Sequence, residues 1–173
     1  MKKILITYAT YTGSAETVAD LVSSNLAGKG VSTVVMPMTE VKDLSGYDAV
    51  IAGSAIHGGK WLPEAFDFLE LHKEELNSKP FAAFLVCMTM AMKKSEKYRQ
   101  FVSDFMIPVR EIVKPTCEGL FAGRLEINKI HSMGTRIKFR ISVATGVWKE
   151  GDHLNKPEIA SWAEEVYNKI VAG

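Results

Sequence analysis

The feature that most constrains this chain is a short apolar run that stops at a hydroxyl-rich turn and restarts as an amphipathic helix. Lys3–Ala9 (Lys-Ile-Leu-Ile-Thr-Tyr-Ala) has the composition of a strand buried on both faces. The turn Thr10-Tyr-Thr-Gly-Ser-Ala-Glu-Thr follows. Ser14–Ala27 then carries Val18, Leu21, Val22 and Leu26 at helical spacing, closed by Gly28 and Gly30. The alternation continues along the chain. Val31–Met36 is a second strand, and Tyr47–Ser54 a third, ending in the loop His57–Gly58–Gly59–Lys60. Pro63 opens a helix running to about Leu76 with Ala65, Phe66 and Leu69 inward. Pro80 precedes a fourth strand, Phe81–Met88.

Glu96–Val113 reads as a helix with Phe101, Val102, Phe105 and Val109 on one stripe, which Pro108 kinks or ends early. Thr116–Leu125 is a fifth strand. Glu158–Val171 is a last helix, with Ile159, Trp162, Ala163, Val166 and Ile170 at a clean 3.6 period. Such an order implies a parallel sheet covered on both faces through right-handed crossovers. Five strands suit the doubly wound order 2-1-3-4-5, whose ligand crevice lies beyond the first and third strands. With 173 residues, 47% of them hydrophobic, one core and one domain over 1–173 are expected, with 125–155 as an insert before the last helix.

Composition removes several classes. A net charge of +1 gives no reason to expect nucleic acid. Cys87 and Cys117 sit in separate apolar segments with neither metal nor disulfide spacing, so reduced buried thiols in a cytoplasmic protein, and no metal, are expected. The apolar run before Thr10 is shorter than a signal peptide or a spanning helix needs, so the protein is expected to be soluble or at most peripheral on a membrane.

Chemistry is therefore expected just after Ala9, Ser54 and Met88. The hydroxyls of Thr10, Thr12 and Ser14 and the amides around Gly13 surround a helix N-terminus, which attracts anions through its dipole and unpaired N–H groups. No Lys or Arg lies between Lys3 and Lys29, so a phosphate here is held without a local countercharge. That suits a terminal phosphate gripped in place better than a transferring one. The Gly-Lys-Ser/Thr of a Walker loop and the Gly-x-Gly-x-x-Gly of a dinucleotide turn are both missing. The plain alternative is a capped turn with no ligand.

Thr10-x-Thr12-Gly13-x-x-Glu16-x-x-Ala19 resembles the phosphate signature of the flavodoxin-like family, and the strand–helix pattern resembles it over the whole chain. Ala15 stands where the family usually has a threonine, and the chain is not acidic as flavodoxins are. Within that fold the chain is most similar to the quinone-dependent protoporphyrinogen oxidase (dehydrogenase) group. The similar parts are Gly53–Ser54–Ala55–Ile56–His57–Gly58–Gly59, the segment after the fourth strand, and the stretch Leu125–Asn155.

The resemblance implies a flavodoxin-like three-layer α/β sandwich that binds FMN. It places the phosphate on Thr10, Tyr11, Thr12, Gly13, Ser14 and Ala15. The ring falls between the loops Ser54–Trp61 and Cys87–Met92, which brings in Ser54, Ala55, Ile56, His57, Gly58, Gly59, Trp61, Met88, Thr89 and Met90. Gly58 and Gly59 permit close backbone approach to the ring. Trp61 either stacks on it or packs on the sheet edge, and His57 either hydrogen-bonds flavin or substrate or is merely solvated. The second loop has no aromatic where the family commonly has one.

The stretch Ile127–Lys149 contains Lys129, Arg136, Lys138, Arg140 and Lys149 and no Asp or Glu, interleaved with Ile130, Met133, Ile137, Phe139 and Ile141. Neither a clean helix face nor a loop composition stands out. Arg136, Lys138 and Arg140 are candidates to meet an anionic substrate such as a porphyrinogen, or an anionic membrane holding quinone. The alternative is an ordinary solvated face. Three functions remain open: an FMN enzyme oxidising a tetrapyrrole precursor in heme biosynthesis, with a quinone or similar acceptor; an electron carrier with redox-protein partners; and a general quinone reductase or regulatory flavin domain. No acid–base pair marks a catalytic residue, since the flavin would do the chemistry.

Overall fold

The computed structural model describes residues 1–92 and 94–172. In chain order the elements are β1 (Lys3–Ala9), α1 (Ser14–Ala27), β2 (Ser32–Pro37), β3 (Ala49–His57), β4 (Lys60–Trp61), α2 (Pro63–Leu71), α3 (Lys73–Asn77) and β5 (Phe81–Val86). There follow α4 (Arg99–Ser103), α5 (Ile107–Ile112), β6 (Cys117–Phe121), β7 (Arg124–Leu125), α6 (Met133–Ala144), β8 (Gly151–Asp152) and α7 (Lys156–Val166).

The main sheet runs β2-β1-β3-β5-β6 with every one of these pairs parallel, and β4 folds back antiparallel on β3. Leaving out the hairpin strand β4, this is the expected order 2-1-3-4-5. β1 lies between β2 and β3, with Ile4 opposite Thr33 on one side and Ala49 on the other. Ile4, Leu5, Ile6, Val50, Ile51, Ala52 and Leu85 are fully buried, as continuous apolar strands covered on both faces must be. The crossover from β1 to β2 runs one way and those from β3 to β5 and β6 run the other. Right-handed connections therefore put α1 and α2 on opposite faces. α7 packs beside α1, burying Ile159, Trp162, Ala163 and Val166.

Several elements differ from expectation for local reasons. The expected helix Glu96–Val113 is broken into a 3-10 turn Ser95–Tyr98, α4, a 3-10 turn Asp104–Met106 and α5. Pro108, which lacks an N–H, stands in the first turn of α5, where that loss is harmless. The break rotates the stripe: Val102, Met106 and Val109 are buried, while Phe101 is 56% exposed and Phe105 half-buried against it. The helix from Pro63 breaks at His72, and Phe68 rather than Phe66 enters the core. The fifth strand stops at Phe121, and Arg124–Leu125 leaves the sheet to pair antiparallel with Gly151–Asp152. The fourth strand ends at Val86, and Cys87 and Cys117 are both free and buried.

Close packing fixes Gly53. Gly53 of β3 lies opposite Phe84 of β5, and a Cβ there would sit 2.0 Å from the Phe84 ring. Gly53→Ala is expected to lower stability by about 1–3 kcal/mol, the usual cost of overpacking. Adding Phe84→Leu is expected to recover part of that loss, because the ring is what the methyl meets. Urea unfolding of the three variants measures it; additive losses would contradict the packing account.

Candidate functional site

A cleft of about 580 Å³, open mouth included, lies at the carboxyl ends of the strands. Tyr11, Thr12 and Ser14 line it from the loop after β1; Ala55, Ile56 and His57 from the end of β3; and Val86 and Met88 from the end of β5. This is the crevice that the strand order places between β1 and β3. Its remaining wall comes from Gly123–Glu126 and from Ile130, Thr135 and Phe139.

The loop after β1 is shaped by Gly13, whose φ of 92° is in the left-handed region. The Gly13 amide donates to Thr10 Oγ1 at 2.9 Å, and the Thr17 amide and hydroxyl both donate to the Gly13 carbonyl, at 3.1 and 3.0 Å. α1 carries no side-chain cap, whereas Ser132 caps α6 and Asn155 caps α7. The amides of its first turn, Ser14, Ala15 and Glu16, have no intrahelical acceptor. Ala15 is fully buried and offers its backbone alone. Ser14 is also buried, and its Oγ accepts from the Arg124 amide at 3.0 Å, tying this loop to the chain after β6.

Glu16, in the same turn, accepts from the Tyr8 hydroxyl at 2.9 Å. Burial first, and then the Glu16 carboxylate, push the Tyr8 phenol up to about 12.

The expected site residues fall into two groups. Tyr11, Thr12, Ser14, Ala55, Ile56, His57 and Met88 meet at the cleft, with Thr10, Gly13 and the buried Ala15 shaping the loop after β1. The Tyr11 and His57 rings lie 4.7 Å apart and 32° from parallel, and His131 meets Tyr11 edge-on at 6.0 Å. Gly58 and Gly59 have φ of 59° and 77°, forming the two-residue turn of the β3–β4 hairpin. They stand outside the cleft lining, as do four others. Trp61, expected as a possible ring cover, is 2% exposed and packs in the core. Ser54 is fully buried; it donates to the Ala55 carbonyl at 2.8 Å and accepts from the Leu62 amide at 3.0 Å, bracing the entry to α2. Thr89 and Met90 belong to the 3-10 turn Met88–Ala91, and Met90 faces a separate surface depression.

The basic stretch is a helix, and its period decides what reaches the cleft. Thr135 and Phe139, four residues apart, turn inward; Lys138 and Arg140 are exposed outside. Arg136 is not among the residues lining the cleft; its guanidinium donates to the Ile130 carbonyl and, at 3.0 Å, to that of Asn128. Among the described residues the cation that lines the cleft is Arg124, paired with Asp152 at 3.2 Å and Glu126 at 3.7 Å. Arg124, Glu126 and Thr135 carried no motif that singles them out, since tertiary folding alone brings them to the cleft. Among the described residues no cluster of three His, Cys, Asp or Glu side chains is placed to hold a metal, and no helix is long and apolar enough to cross a membrane.

Alkaline titration checks the Tyr8–Glu16 contact. Of the five tyrosines, one is expected to ionise late, near 12 rather than 10.0, and Tyr8→Phe is expected to remove that late step. The folded state holds this proton more tightly than the unfolded chain. Its stabilisation is thus complete below about pH 10 and is lost as pH rises towards about 12. Simultaneous ionisation of all five would contradict the contact.

The sequence model described as Flavodoxin domain matches residues 5–145. No curated protein matches the sequence. A flavodoxin of Streptococcus pneumoniae TIGR4 superposes with a TM-score of 0.60 at 21% identity, covering 97% of this chain and 99% of that one. Oxidised Flavodoxin 2 from Bacillus cereus is 28% identical with a TM-score of 0.52, over 83% of this chain and 99% of its own. A Fusobacterium nucleatum flavodoxin bound to flavin mononucleotide gives a TM-score of 0.54 at 14% identity, over 98% and 99% of the two chains. With a flavodoxin-like sheet and a family match spanning most of its length, the chain belongs to the Flavodoxin domain family.

Proposed function

We propose that the chain is an FMN-binding redox protein that carries electrons between protein partners. The observation that carries this reading is the uncapped N-terminus of α1, opening on the cleft beneath Thr10, Thr12 and Ser14. The donor set fits a phosphate monoester: three first-turn amides, the hydroxyls of Thr10 and Thr12, and the dipole of a 14-residue helix. Arg124 is occupied by two carboxylates, so neutral donors do the holding. The cleft above this loop is apolar, walled by Ile56, Val86, Met88 and Ile130, as a planar aromatic ring requires. FMN, when bound, supplies the redox chemistry. The chain's own residues anchor its phosphate, orient its ring and exclude water.

A second reading, an FMN enzyme of the protoporphyrinogen dehydrogenase kind passing electrons to a quinone, draws on one observation. The outer side of α6 exposes Met133, Ile137 and Ile141 at four-residue spacing beside Lys138 and Arg140, a surface suited to an amphipathic anion or an anionic membrane. The carrier reading needs no small-molecule substrate and is the simpler account of the cleft.

Anaerobic optical redox titration of the FMN-loaded protein separates the two. The carrier reading expects two separated one-electron waves and no turnover of protoporphyrinogen with menaquinone. A single two-electron wave together with such turnover would favour the enzyme. Replacing both Lys138 and Arg140 by Glu is expected to leave FMN content unchanged and, under the second reading alone, to weaken co-sedimentation with anionic vesicles, by about 1 kcal/mol per charge.

A further inference from the structure

The stretch between β7 and β8 has its own apolar cluster, apart from the main core. Leu125, Ile127 and Ile130 are its buried members, each under 5% exposed, and Phe139, Val143 and Trp148 pack on them. Its partners outside the stretch are Tyr11 and Met88, one from the loop after β1 and one from the loop after β5. The stretch therefore seats its apolar underside on the two loops that border the cleft. It is held at both ends by the β7–β8 ribbon and the Arg124–Asp152 pair, while Arg136 clamps α6 to the 3-10 turn Ile127–Lys129.

α6 itself contains no buried residue. Its inward stripe Thr135, Phe139 and Val143 is only half-buried, and Thr135 and Phe139 open directly on the cleft. Phe139 thus has unburied aromatic surface facing a slot that Tyr11 borders from the phosphate loop. The loop Cys87–Met92 has no aromatic to offer there.

We infer that Phe139, brought in by α6 and backed by Ile130, is the aromatic wall of the flavin ring slot, with Tyr11 as its counterpart from the phosphate loop. The inference rests on the FMN reading and adds the residue that the second ring loop lacks. Ring contact and phosphate contact are separate here: Phe139 and Tyr11 act on any isoalloxazine, and Thr12 with the first-turn amides of α1 acts on the phosphate alone. An aromatic face buries apolar area against the ring and adds offset or edge stacking, which a smaller side chain cannot replace.

The test is equilibrium binding of FMN and of lumiflavin, the bare ring, to wild type, Phe139→Ala, Phe139→Leu and Thr12→Val, followed by flavin fluorescence. Thermal unfolding of each apoprotein reports folding. Phe139→Ala is expected to weaken FMN and lumiflavin by the same factor, about ten- to a hundredfold, as loss of one aromatic wall implies. Phe139→Leu, which keeps the cluster filled, is expected to fall between it and wild type, and Thr12→Val to weaken FMN alone. Unchanged binding of both ligands by folded Phe139→Ala or Phe139→Leu would overturn the wall and leave the FMN reading standing. Failure of wild type to bind FMN at all would remove the FMN reading and the wall with it.

Discussion

The structure depends on β1 being paired in parallel on both edges. A strand of Ile4, Leu5 and Ile6 can be buried only if helices cover both faces and neighbours satisfy both edges. Since β2 lies on one side of β1 and β3 on the other, successive crossovers leave in opposite directions. Their helices part above the ends of β1 and β3. The gap is where the first-turn amides of α1 emerge without a side-chain cap, so the packing that buries the strand also leaves these donors open for the proposed phosphate. Gly53 belongs to the same sheet: opposite it, the Phe84 ring of β5 fills the space that a side chain on β3 would take.

The parts readable from the sequence are those set by local period and local turn chemistry. β1 and α1 lie where the apolar run and the helical period place them, and α7 (Lys156–Val166) lies close to where its period places it: β1 is apolar throughout because both its faces are covered, and the two helices each carry one buried stripe. Gly13 takes the positive φ that its turn suggests, whereas Gly58 and Gly59, expected beside the ring, use theirs to close the β3–β4 hairpin outside the cleft lining. What was hidden depends on contacts distant in sequence. α6 buries nothing fully, so its residues show no clean apolar stripe. Its inward side is defined by the loops of Tyr11 and Met88, more than 40 residues away. The Phe101 stripe misled because Pro108 resets the helix and turns Met106 into the core in place of Phe105.

Charge explains the rest of the divergence between reading and structure. Five cations and no carboxylate between residues 127 and 149 suggested a substrate clamp. Folding disperses them: Arg136 goes to backbone carbonyls, Lys129 to Glu126 at 2.7 Å, and Lys138 and Arg140 to solvent. Arg124, the cation lining the cleft, is met by two carboxylates. The cleft is left mostly apolar, with neutral hydrogen-bond donors at its base, as the proposed holding of a phosphate by geometry and dipole requires.

The central claim is that those neutral donors recognise a phosphate. The most direct measurement compares the affinity of the apoprotein for FMN and for riboflavin, which differ only by that phosphate, at low and at high salt. The account predicts FMN tighter by about a hundredfold or more, as two or more charge-assisted hydrogen bonds imply. The ratio is expected to change little with salt, because among the described residues the cation lining the cleft, Arg124, is already paired. Equal affinities, or an FMN preference that collapses as salt rises, would contradict it.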